Sequence, residues 1–234
     1  MTILSVLLMS LLIGMRHALE SDHLAAVASL ATRSPSLRQT VRLGATWGLG
    51  HTLTLFLFGS VVLWMDTVMP ERLAHWLEFA VGLMLVGLGI DVLRRLWRER
   101  VHFHVHRHND GTVHFHAHSH QGQRAHDTDA HRHEHPQGFP LRALLVGLVH
   151  GMAGSAALIL LTLQTLHDPW LGMLYMLVFG IGSILGMGAV SVVIAWPLKA
   201  TGRRLTWAHN GLQATIGLFT LGSGLWIALE SAPV

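Results

Sequence analysis

Apolar residues run almost without interruption from Ile3 to Leu30, and comparable runs recur at about 41–65, 73–97, 139–164, 169–198 and 208–230. Each approaches or exceeds the roughly 20 residues that a helix needs to cross a hydrocarbon core about 30 Å thick. The pattern predicts an all-α, polytopic membrane protein with six transmembrane helices. Residues 98–138 break the pattern, carrying twelve histidines and no run able to form a core. The chain therefore divides into a first three-helix unit (1–97), a histidine-rich loop expected to be disordered (98–138) and a second three-helix unit (139–234).

One polar cluster interrupts the first span: Arg16-His17-Ala18-Leu19-Glu20-Ser21-Asp22-His23. An Asp or Arg at the bilayer centre costs roughly 2.5–3.5 kcal/mol on insertion scales, so such groups persist by facing a protein interior, pairing, or holding an ion. At about 100° per residue His17, Glu20 and His23 share one helical stripe, while Asp22 points away from Glu20. A regular helix cannot aim all four inward. Either two of them serve neighbouring helices, or the backbone unwinds between Gly14 and Ser21, which membranes tolerate where the segment is buried or lines a cavity. Imidazole with carboxylate suits a borderline divalent ion such as Ni, Co, Zn or Fe, whereas Mg or Ca prefers oxygen alone. An Arg16–Glu20 packing pair is the alternative; it accounts for the acid and leaves the histidines without a role. Two further histidines sit among small residues, His51 after Trp47-Gly48-Leu49-Gly50 and His150 before Gly151-Met152-Ala153-Gly154-Ser155.

The halves repeat at an offset of 132 to 135 residues. Gly14-x-x-His17 matches Gly147-x-x-His150. Trp47-Gly48-Leu49-Gly50 matches Phe179-Gly180-Ile181-Gly182, and Gly82-Leu83…Gly87-Leu88-Gly89 matches Gly217-Leu218…Gly222-Ser223-Gly224. A unit of three spans reverses its topology on duplication, so the expected architecture is a 3+3 inverted repeat with the substrate path between the halves. The counterparts of His17, His51 and Asp22 are His150, Ser183 and Ser155. The candidate metal residues are thus His17, Asp22, His23 and His51, with Glu20, His150, Ser155 and Ser183 as further members of the path.

Composition narrows the chemistry. With 51% hydrophobic and 12% charged residues and no cysteine, thiolate ligands and disulfides are excluded, and a soft Cu(I) site would rest on methionine alone. The high pI comes from arginines in loops and does not imply nucleic acid. Arg33, Arg38 and Arg42 lie at the first loop, Arg94, Arg95, Arg98, Arg100, Arg107, Arg124, Arg132 and Arg142 at the third, and Lys199, Arg203 and Arg204 at the fifth. The other loops and the termini offer only Arg72. The positive-inside rule then places those three loops in the cytoplasm and both termini outside, in the inner (plasma) membrane. The first span lacks a basic n-region and is expected to be retained rather than cleaved. Within the loop, His102, His104, His106 and His108, then His114, His116, His118 and His120, alternate with other residues. Without fixed supporting hydrogen bonds they are expected to bind divalent metal loosely, as a buffer or delivery site, or else to act as a solvated, pH-responsive linker.

Gly14-Met15-Arg16-His17-Ala18-Leu19-Glu20-Ser21-Asp22-His23 resembles the signature of the nickel/cobalt transporter family, a histidine followed after four residues by Asp-His, and Leu49-Gly50-His51-Thr52 resembles that family's second motif. With His150-Gly151-Met152-Ala153-Gly154-Ser155 and Phe179-Gly180-Ile181-Gly182-Ser183, the chain is more closely similar to the small branch of urease-accessory nickel permeases. The resemblance spans the six helices but not the loop. It implies uptake of Ni(2+) or Co(2+) as transported substrate, no resident cofactor, no enzymatic activity, and a cytoplasmic nickel chaperone as partner. It carries His17, Asp22, His23 and His51 over as metal-handling residues. One motif departs: larger members have an acidic Phe-Asp-Thr-Ala-Thr-Glu type segment where His150 to Ser155 stands here. A divalent-metal exporter of the same architecture is the competing reading, and a membrane di-iron enzyme, which needs about eight ligands in close-spaced boxes, a remote one.

Overall fold

The computed structural model describes residues 2–34, 36–65, 70–98, 102–107, 113–118, 140–152, 168–202 and 206–232. Its helices are α1 (Ile3–His17), α2 (Ser21–Ala31), α3 (Leu37–Met65), α4 (Glu71–Arg98), α5 (Leu141–Gly151), α6 (Pro169–Gly202) and α7 (Thr206–Glu230). Helices α3, α4, α6 and α7 are each long and apolar enough to cross a membrane, and α1 with α2 forms a further candidate span bent by 59°. The fourth expected span is represented by the short α5; residues 139 and 153–164 of it lie outside the described residues.

The bend falls at Ala18-Leu19-Glu20, where neither glycine nor proline forces it. Leu19 N–H and Glu20 N–H donate to the carbonyls of Arg16 and His17, closing α1 with tight turns. Glu20 then turns extended, with ψ of 148°, and α2 restarts with Leu24 N–H on the Glu20 carbonyl. The first apolar run is therefore a broken helix, not one straight span. Every residue from Ala25 to Ala31 is buried, the mark of a helix enclosed on all sides. Helices α3, α4, α6 and α7 supply the enclosure.

Around it α1 lies along α6, α5 along α3, α3 along α6, and α4 along α7. Small residues permit this closeness. A Cβ on Gly14 would run into the Phe179 carbonyl and one on Gly182 into that of Leu11; likewise Gly147 abuts the Trp47 carbonyl and Gly50 that of Leu144. The main core joins Ala25, Ala26, Val27 and Leu30 of α2 to Trp47, Leu85, Ala143 and Met187. Outward faces carry exposed Leu4, Leu8, Leu12, Trp64, Trp196, Trp207 and Trp226, as lipid contact and interfacial anchoring require.

Two features lie at the loops. Asp91 of α4 accepts from Arg33, with Arg95 Nε at 3.4 Å and Arg142 Nη2 at 3.7 Å, tying the segment after α2 and the start of α5 to α4. Within the histidine-rich stretch, His102–Arg107 (β1) and Val113–His118 (β2) pair antiparallel, with His102 opposite His118, His104 opposite His116 and His106 opposite His114. This short ribbon stands apart from the helices, which make up the rest of the described secondary structure. An alternation of period two is the strand pattern, and it applies to histidine as much as to valine.

Candidate metal centre

The break between α1 and α2 creates the site. His17 is the last residue of α1, and Asp22 and His23 lie in the first turn of α2, so the bend folds them toward one another. His51 comes from the middle of α3 and His150 from the last turn of α5. All four histidines are at most 1% exposed.

The contacts are close. His17 Nε2 lies 3.3 Å from His51 Nε2. His23 Nδ1 is 2.9 Å from Asp22 Oδ1, and His150 Nε2 is 3.1 Å from Asp22 Oδ2 and 3.3 Å from His23 Nδ1. Ring centroids separate His17 from His23 by 4.2 Å and His23 from His150 by 4.4 Å. Trp47, fully buried, packs with its ring centroid 5.3 Å from that of His23 and 5.2 Å from that of His150, and Phe179 stands 5.3 Å from His17. These aromatic walls keep water and lipid from the imidazoles.

Such a cluster is costly to the fold. Among the described residues His23 Nε2, His51 Nδ1 and His150 Nδ1 are buried without a hydrogen-bond partner, and each orphaned polar atom costs about 1–3 kcal/mol. Of these, His23 Nε2 is the atom a cation would engage, since His51 and His150 present their Nε2 atoms to His17 and Asp22. Two donor sets meet the requirement, His17 with His23 and His51, and Asp22 with His23 and His150, each set with its ligand atoms within 4.8 Å of one another. Nitrogen-rich, with one carboxylate and no sulfur, they match a borderline divalent transition metal.

The geometry brings together His17, Asp22, His23, His51 and His150. Glu20 reaches His17 Nδ1 at 2.9 Å with its carboxylate half-exposed, so it lies against His17 rather than forming the Arg16 pair that the sequence allows. Ser183 is buried on α6, and its hydroxyl contact is the Met187 sulfur at 4.0 Å, not the cluster. Ser155, His108 and His120 lie outside the described residues, and the ribbon histidines are placed by backbone alone. Trp47 does not stand out as a site residue in the sequence; its position one helical turn before His51 is the available signal.

The chain is 32% identical over 228 residues to the urease accessory protein UreH of Bacillus sp. (strain TB-90), covering 95% of this chain and 90% of that protein. It is 26% identical over 221 residues to the chloroplast protein FOR GROWTH AND FERTILITY 1 of Arabidopsis thaliana, and 25% identical over 214 residues to FOR GROWTH AND FERTILITY 2. It covers 57% and 53% of those two longer proteins. No protein-family model matches the chain, and no solved structure matches it significantly.

Proposed function

The chain belongs to the family of the urease accessory protein UreH, and from that premise we propose that it is a permease carrying Ni(II), with Co(II) as the nearest substitute, into the cytoplasm. The observation that carries the reading is the convergence of four buried histidines and Asp22, from both halves of the chain, at a break in a membrane helix. A divalent ion must shed water to pass, and an enclosed set of imidazoles with one carboxylate offers replacement ligands and partial charge compensation. The urease accessory role in the relative's name agrees with a nickel cargo, as does the resemblance of the His17 to His23 segment to nickel/cobalt transporters.

Translocation by an inverted repeat fits the helix packing. The contacts come in reciprocal pairs: α1 with α6 answers α5 with α3, and Gly89 against the Gly217 carbonyl answers Gly224 against the Gly82 carbonyl. A rocking motion of one half on the other would expose the central cluster to each side in turn. Arg33, Arg95 and Arg142 meeting at Asp91 agrees with the first and third loops sharing one side, read as the cytoplasm, with the termini outside. The histidine-rich loop then receives the ion and hands it to a cytoplasmic nickel chaperone.

Nickel content of cells with and without the protein, grown at limiting nickel, is the test. Import raises it. A fall would mean export, and no change across nickel and cobalt would remove both readings.

A further inference from the structure

Five potential ligands in one cluster suggest a single crowded site, but an imidazole cannot serve one ion with both nitrogens, because their lone pairs point away from each other across the ring. His23 belongs to both donor sets. Its Nδ1 faces Asp22 Oδ1 at 2.9 Å and His150 Nε2 at 3.3 Å, which leaves Nε2, buried and unpartnered, as the nitrogen free for His17 and His51. The His17 and His51 rings lie 4.2 and 5.1 Å from His23 between centroids, and His150 lies 4.4 Å from it.

We propose that the cluster is two successive cation positions hinged on His23, the first formed by His17, His51 and His23 and the second by Asp22, His150 and His23. The inference rests on the metal-permease reading and adds the route inside it. The two positions differ in charge. Three neutral imidazoles make the first, and the carboxylate of Asp22 makes the second the better host for a dication stripped of water. Simultaneous occupancy would set two dications either side of one small ring and require that ring as imidazolate, so one ion moves between them, exchanging one His23 nitrogen for the other. The first position adjoins Glu20, whose half-exposed carboxylate sits 2.9 Å from His17 Nδ1 and offers a hydrated cation its first contact. Only the second takes a ligand from α5, and therefore from the second half of the chain.

The probe is Co(II), whose visible ligand-field absorption reports its donor set. It is titrated into the full-length protein in detergent micelles with the twelve loop histidines replaced by serine. One Co(II) is expected per chain. His51→Asn disables the first position alone and His150→Asn the second alone, so each variant should keep one equivalent with ligand-field bands that differ between the two; His51→Asn should bind about as tightly as the parent, because the second position is the better host, and His150→Asn about tenfold more weakly. His23→Ala should weaken binding at least about a hundredfold, since it cuts both sets. Helical circular dichroism and monodispersity screen for folding, and should His23→Ala fail there, the His51 and His150 variants alone decide. Identical spectra and losses in those two would show one shared site and overturn the two-position route while leaving the permease reading intact. Absence of Co(II) binding, and of Ni(II) binding in a parallel titration, would overturn both.

Discussion

Replacing Gly147 with alanine should damage transport without touching a ligand. A Cβ there would overlap the Trp47 carbonyl oxygen and stand 2.9 Å from its carbon and 3.0 Å from the His51 nitrogen, against an ordinary contact of 3.4–4 Å. All three are backbone atoms of α3, so no side chain can swing aside; relieving the overlap with the oxygen requires α5 and α3 to part by about 1 Å or more. Overpacking of this kind costs about 1–3 kcal/mol, and the better helix propensity of alanine returns at most about 1 kcal/mol. The net loss is up to about 3 kcal/mol. The same displacement moves His150 away from His51 and Asp22, where metal–ligand distances tolerate only about 0.2 Å. Gly188→Ala is the control, because a Cβ at that position meets nothing within 4 Å. Unfolding followed by the fluorescence of the eight tryptophans, alongside nickel uptake, reads both effects. Gly147→Ala should melt lower and transport poorly, whereas Gly188→Ala should melt at or slightly above the parent and transport like it. Equal behaviour of the two variants would refute the tight α3–α5 approach.

Glu20→Gln should slow uptake at low metal and leave it near normal at saturation, since Glu20 touches His17 from a half-exposed position; complete loss in a concentration series would place it among the essential ligands. Asp91→Asn should lower stability by about 1 kcal/mol, because its arginine partners are 23–49% exposed and such pairs are worth little each; denaturant titration in micelles checks it. Deleting residues 101–135 should leave uptake at saturating metal intact and reduce the metal carried by the purified protein. The metal bound by the loop should fall away below about pH 6, as protons compete for imidazoles of ordinary pKa ~6.5. Loss of uptake at every metal concentration would put the loop in the translocation path.

The segment from Arg16 to His23 is legible in the sequence as an interior site, because charged groups inside an apolar run must be paired, enclosed or bound to an ion to persist in a bilayer. A break between Gly14 and Ser21 is legible as one of two ways to aim the cluster inward, but its exact place is not, since Ala18, Leu19 and Glu20 carry no breaking residue. That break also accounts for Asp22: on one straight helix it points away from the histidine stripe, whereas at the start of a second helix it meets His23 and His150. The meeting of His150 with Asp22 spans 128 residues and is accessible only through the repeat, which marks His150 as the counterpart of His17. The same equivalence nominates Ser183, whose hydroxyl lies near Met187 instead of the cluster, because small residues at corresponding helix contacts answer to packing as readily as to chemistry.

Metal uptake into proteoliposomes reaches the central claim most directly. Purified parent protein and His23→Ala, matched for helical content, are reconstituted, and radioactive nickel is followed under an inward gradient. The parent should accumulate nickel above empty vesicles, and His23→Ala, which loses a ligand from both donor sets, should not. Uptake by His23→Ala at the parent's rate would contradict the assignment of the buried histidine cluster as the path of the ion.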